Sequence, residues 1–190
     1  MAIVIVQGIL HLLTGYDHLA FLLVALLGVL RRRDAQDPQP VRTGLLESLK
    51  VVTAFTVAHS ITLTLAATGV MVLAPKPVEA AIAATVAITA LSAFWRPTRL
   101  QGWPLAFAFG LVHGFGFAGA FAEMIHGETN ATTLGSFNLG IEIAQVLLAI
   151  ALLPLLYVLA RRPTFNRHVA PAISAVVAGL AMSWFVERLA

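Results

Sequence analysis

Six side chains with chemistry to offer sit inside otherwise apolar sequence: His11, Asp17, His18, His59, His113 and Glu142. Thr14, Thr56, Asn138 and Gln145 accompany them as polar neighbours. Imidazole plus carboxylate, with no thiolate, is a borderline-to-hard ligand set that suits Ni²⁺, Co²⁺, Zn²⁺ or Fe²⁺. The chain has no cysteine, which excludes disulfides, thiolate metal sites and dithiol redox motifs. Its four methionines (Met1, Met71, Met124, Met182) are scattered, which argues against a soft Cu(I) path. A hydrated divalent ion does not cross hydrocarbon unaided. It needs nitrogen and oxygen ligands that replace its water and then release it. Such binding is linked to pH, because the ligands must lose their protons.

The spacing carries as much as the residue types. His11 and His18 are seven apart and share one helix face, with Thr14 between them. Asp17 lies about 100° round from His18 in a continuous helix, and Gly15 offers a place to bend it. Asn138, Glu142 and Gln145 stand at i, i+4 and i+7 and form one stripe. Thr56 and His59, with Thr62 or Leu63, form another. An ionisable group at the centre of a membrane helix costs on the order of 2.5–3.5 kcal/mol on insertion scales. The H-x5-D-H group on one helix therefore points to function. A lone intramembrane histidine such as His59 has a second reading, as a hydrogen bonder between helices. Glu79 follows Pro77 at a helix start and reads as a partner of the helix dipole. Glu123, His126 and Glu128 read as a solvated outer loop. Gly110, Gly114, Gly116 and Gly119 read as a close-packing surface, or as room for an ion beside His113. Asn130-Ala131-Thr132 matches the glycosylation triplet, read here as chance.

The elements that must position these groups are membrane helices. The 190 residues are 59% hydrophobic and 11% charged, against about 25% charged in a soluble domain. The mean hydropathy is +0.88. Six apolar stretches are long enough to span a bilayer: about 4–30, 46–70, 78–95, 104–124, 135–160 and 168–188. They lack period-2 alternation and exceed any barrel strand, so the expectation is all-α: one polytopic bundle of six transmembrane helices filling 1–190. Residues 1–10 lack the basic flank of a leader and read as the start of the first span. Arg31, Arg32, Arg33, Arg42, Lys50, Arg96, Arg99, Arg161, Arg162 and Arg167 fall in loops one, three and five or beside them. Only Lys76 and Arg188 lie on the other side. This asymmetry puts loops one, three and five in the cytoplasm and both termini outside, in a bacterial inner membrane. The net charge of +3 comes from these membrane flanks and is no nucleic-acid signal. At 1.5 Å per residue all six ionisable groups fall roughly 9–20 Å below the outer surface, converging from four helices.

A short internal repeat is also legible. Gly8 to His11 reads G-I-L-H, and Gly110 to His113 reads G-L-V-H. Phe55 stands four residues before His59, and Phe137 five before Glu142. Segments three apart run in opposite directions, so the repeat implies an inverted 3+3 pair with a site near its interface.

Four stretches together resemble the HupE/UreJ family of small bacterial membrane proteins: H-L-L-T-G-Y-D-H-L (His11 to Leu19), T-A-F-T-V-A-H-S-I-T-L (Thr53 to Leu63), F-G-L-V-H-G-F-G-F-A (Phe109 to Ala118) and F-N-L-G-I-E-I-A-Q (Phe137 to Gln145). The first is also similar to the motif of larger nickel/cobalt transporters, with H-x5-D-H here in place of their H-x4-D-H. The resemblance implies association with hydrogenase and urease systems and a nickel or cobalt permease activity. The leading expectation is a divalent-metal permease, Ni²⁺ first and Co²⁺ second. His11, Asp17, His18, His59, His113 and Glu142 form its intramembrane site, and the glycine-rich first and fourth helices its moving surface. No G-x4-G-K-[ST] motif is present, so transport is secondary or facilitated. Three alternatives stay open: an intramembrane zinc hydrolase that activates water, a haem-binding subunit using His59 and His113, and a structural subunit whose polar groups only join helices. The expected partners are the lipid bilayer and the ion, with a homo-oligomer or metalloenzyme-maturation proteins also open.

Overall fold

A backbone in lipid must satisfy its own hydrogen bonds, which makes each apolar run a helix. The computed structural model describes residues 1–30, 41–92, 94, 102–124 and 130–190. Arg31, Arg32, Arg33, Arg96, Arg99, His126 and Glu128 lie outside the described residues. Within these, all regular structure is helical: α1 (Ala2–Thr14), α2 (Tyr16–Leu30), α3 (Val41–Ala67), α4 (Pro75–Ser92), α5 (Trp103–Gly116), α6 (Ala118–Met124), α7 (Ala131–Ala160) and α8 (Ala170–Leu189), with a π-helical turn at Phe165–Val169 leading into α8.

Two of the expected helices are broken. The 4–30 segment is α1 and α2, bent by 71°. Gly15 at the break has extended backbone (φ −78°, ψ 96°). A Cβ there would lie 2.7 Å from His18 Nδ1 and 3.0 Å from the His11 carbonyl, so only glycine leaves room for the bend. Asp17, in the first turn of α2, accepts the His18 backbone N–H at 2.9 Å and favours the new helix start. The 104–124 segment likewise breaks at Phe117, between α5 and α6. In both, a glycine stands three residues before the histidine and the break four residues after it: Gly8, His11, Gly15 and Gly110, His113, Phe117.

Other boundaries moved for local reasons. α3 begins at Val41 rather than near 46, its first turns carrying the Lys50–Glu47 ion pair at 2.7 Å. α7 begins at Ala131 because Asn130 caps it, its Oδ1 accepting from the Thr133 N–H at 2.9 Å. The Asn130-Ala131-Thr132 triplet thus has a local explanation as a helix start.

By length and composition three described helices are fit to cross a membrane: Val41–Ala67, Ala131–Ala160 and Phe165–Leu189. The bent α1–α2 pair makes a fourth if it counts as one span. α4 and α5, expected as spans, do not meet that description. Large apolar side chains such as Ile3, Leu147, Leu155 and Val176 are exposed, as suits a bilayer around the bundle.

Three helix pairs build the bundle: α1 with α7, α3 with α5, and α4 with α8. The first two pack backbone to backbone. A Cβ on Gly8 would run into the Phe137 carbonyl, and one on Gly140 into the Ile5 carbonyl. On Gly110 it would strike the Phe55 carbonyl, and on Gly114 the His59 carbonyl. Small residues at these points allow the close approach that replaces a hydrophobic driving force inside lipid. Ser136 meets Met1 while Ile141 meets Gly8, so α1 and α7 run parallel. Gly110 meets Phe55 while Gly114 meets His59 and Leu63, so α3 and α5 do too. Arg188 at the end of α8 reaches Glu79 near the start of α4, which makes that pair antiparallel.

Candidate metal centre

The two breaks and the two glycine contacts deliver four imidazoles to one place. The His11 ring lies 4.8 Å from that of His18 and 6.1 Å from that of His59, centroid to centroid. His18 lies 6.1 Å from His59 and 5.0 Å from His113. The bend at Gly15 matters here: it swings His18 back over His11, although the two now sit on different helices. His18, His59 and His113 are buried, His59 completely.

Hydrogen bonds fix what two of these rings offer. Asp17 Oδ1 accepts from His18 Nδ1 at 3.0 Å, which leaves the lone pair on Nε2. Thr85 gives its only hydroxyl proton to the Ile82 carbonyl at 2.7 Å. Its oxygen must therefore accept from His113 Nε2, 3.1 Å away, leaving the lone pair on His113 Nδ1. Among the described residues both freed nitrogens are buried without a partner, as are His11 Nε2 and both nitrogens of His59. Each such group costs about 1–3 kcal/mol unless something binds it.

Aromatic rings wall the cluster. Phe117, at the second break, lies 3.8 Å from His11, and Phe55 lies 5.1 Å from His113 and stacks on His59. A cavity of about 330 Å³ reaches the imidazoles, lined by His11, Asp17, His18 and His113 and flanked by Glu79 and Arg188. On the far side, beyond Phe21, a second cavity of about 210 Å³ is lined in part by Glu47, Thr89 and Ser92. Among the described residues no three His, Asp or Glu side chains are preset as a metal cage.

The residues expected from the sequence divide into two groups. His11, Asp17, His18, His59 and His113 come together. Glu142 Oε1 accepts from Thr53 at 2.7 Å, and its Oε2 is buried with no hydrogen-bond partner among the described residues. Gln145 accepts from Thr56 at 2.6 Å, so the α7 stripe joins α7 to α3. Asn138 Nδ2 donates to the Leu134 carbonyl, and exposed Thr14 turns its hydroxyl onto the Leu10 carbonyl. Sequence reading missed Thr85 and passed over Arg188. The signal for Thr85 was available: Thr85, Thr89 and Ser92 stand at i, i+4 and i+7 on α4. Thr85→Val leaves His113 Nε2 without its acceptor. It is expected to lower stability by about 1 kcal/mol in thermal unfolding of the metal-free protein.

Membrane-length apolar helices around a buried imidazole cluster define an all-helical bundle of the integral-membrane type. The family described as HupE / UreJ protein matches residues 1–188, and the chain belongs to that family. Neither the curated proteins nor the solved structures yielded a match.

Proposed function

We propose that this protein is a divalent-metal permease of the bacterial inner membrane, carrying Ni²⁺ or Co²⁺ as substrate. The observation that supports it most is the cluster of four imidazoles with unpartnered nitrogens, reached from a cavity that Asp17 and Glu79 flank. Two imidazoles on one tetrahedral ion have ring centroids roughly 5 Å apart, given metal–nitrogen bonds near 2.0–2.1 Å. His11–His18 and His18–His113, at 4.8 and 5.0 Å, already have that spacing. A site that must be assembled from rings at this spacing suits cargo held briefly. Asp17 supplies the negative charge. Glu142 with Thr53 is a separate polar station between α3 and α7, and we place it on the route.

The matching breaks at Gly15 and Phe117 support the inverted 3+3 reading with six spans and both termini outside. An inverted pair exchanges α1 with α5 and α7 with α3, and the two parallel glycine-packed pairs, α1·α7 and α3·α5, are related in that way. The paired glycines make those interfaces thin, and Phe21 closes the route between the two cavities. Liposomes containing the purified protein and an internal chelating fluorophore test this reading. They are expected to take up Ni²⁺ or Co²⁺ saturably; uptake no faster than in protein-free liposomes would contradict it.

A further inference from the structure

We propose that Arg188 is a built-in surrogate cation of this site: its guanidinium holds the Asp17 carboxylate until an arriving divalent cation displaces it. The inference rests on the metal reading above and assigns a role to a residue outside the imidazole cluster. Arg188 sits in the last turn of α8 and forms part of the wall of the cavity that reaches His11, His18 and His113. Its Nη2 lies 3.5 Å from Asp17 Oδ2, and its Nη1 donates to the Glu79 carbonyl at 3.0 Å. Asp17 is thus divided, with Oδ1 committed to His18 and Oδ2 to Arg188.

That division settles what an entering ion meets. An intramembrane carboxylate needs a positive partner, and Arg188 supplies one in the metal-free protein. The same guanidinium repels a dication brought to the imidazoles beside it, since both charges compete for one oxygen in a site 16% exposed at Asp17. The competition is tilted toward the ion. At 3.5 Å the Arg188 contact is long for a charge-assisted hydrogen bond, which runs about 2.7–2.9 Å. The ion gains imidazole nitrogens as well. Displacement also has a mechanical consequence, because the other arm of Arg188 ties the end of α8 to the start of α4. Occupancy of the site then removes the Asp17 anchor from the end of α8 and leaves Arg188 held by the Glu79 carbonyl.

Co²⁺ titration of detergent-purified protein, with bound metal counted by elemental analysis, tests this on wild type, Arg188→Gln, Arg188→Lys and Arg162→Gln. Arg162→Gln removes the same charge at an exposed position remote from the cavity. Arg188→Gln is expected to bind Co²⁺ at least about tenfold more tightly than wild type, with Arg188→Lys within about threefold and Arg162→Gln unchanged. Equal or weaker binding by a folded Arg188→Gln, beside clear binding by wild type, overturns the role of Arg188 and leaves the metal reading standing. No binding by wild type overturns both. A second measurement needs no variant: Co²⁺ is expected to speed amide hydrogen exchange in residues 186–190 of the wild type. Unchanged or slower exchange there at saturating Co²⁺ overturns the displacement.

Discussion

His59→Ala is expected to cut Ni²⁺ or Co²⁺ uptake by reconstituted protein at least about a hundredfold, because even partners one step removed from a metal are worth 10–100-fold in affinity or activity. The same variant is expected to unfold within about 4 °C of wild type, a shift of about 1 kcal/mol in a chain this long. The two expectations separate a ligand from a packing residue. His59 is wholly buried, its ring centroid lies 6.1 Å from those of His11 and His18, and among the described residues neither of its nitrogens has a hydrogen-bond partner. A helix-joining histidine would have one. Removing the ring relieves unsatisfied polar groups worth about 1–3 kcal/mol each. It also opens a cavity of the kind that costs about 2–5 kcal/mol in large-to-small substitutions. The two terms nearly offset each other, whereas nothing replaces the lost ligand. A folded His59→Ala protein whose uptake stays within twofold of wild type would remove His59 from the site. A variant that loses stability but keeps uptake would make it structural.

Gly110→Val is expected to be among the most disruptive single substitutions in the bundle, with those at Gly8, Gly114 and Gly140. A Cβ at Gly110 would strike the Phe55 carbonyl and lie 2.9 Å from the Ala58 Cβ. The obstacle is backbone, so rotamer changes do not relieve it, and α5 must move off α3 with His113 leaving Phe55. Ordinary overpacking costs about 1–3 kcal/mol; with backbone as the obstacle we expect more than about 3 kcal/mol, a large share of the about 5–15 kcal/mol that holds a typical domain folded. The apparent unfolding temperature should fall by more than about 6 °C, at about 2–4 °C per kcal/mol, measured by size-exclusion after heating. Gly119→Ala is the control. Among the described residues nothing lies within 4 Å of its added Cβ, and its helix gains up to about 1 kcal/mol of propensity. If Gly110→Val and Gly119→Ala unfolded at the same temperature, the glycine-contact account of α3 and α5 would be wrong.

Much of the candidate site, as a cluster of side chains, was legible because intramembrane charge stands out against apolar sequence. The H-x5-D-H group, His59 and His113 were all visible in this way, and Gly15 was visible as a bend. The break at Phe117 was not, since H-G-F-G-F-A-G contains glycines that serve equally for packing or for a break. The place of Glu142 was hidden for a different reason. Depth placed it level with the histidines, but α7 is apolar nearly all round, with Leu147 exposed and Ile141 buried. Periodicity therefore does not say which face meets the interior and which meets lipid. Thr53 on α3 decides it, through a contact 89 residues away in sequence. Arg188 was counted only as a flanking charge, and its meaning depends on the antiparallel docking of α8 on α4.

The central claim is that the imidazole cluster binds a divalent metal. Elemental analysis by mass spectrometry on detergent-purified wild type beside His18→Ala, after nickel loading and again after EDTA, tests it most directly. About one Ni²⁺ per wild-type chain is expected, removed by EDTA and absent from the variant, as a reversible site of imidazoles and one carboxylate requires. Equal metal in the two proteins, or none in either after loading, would contradict it.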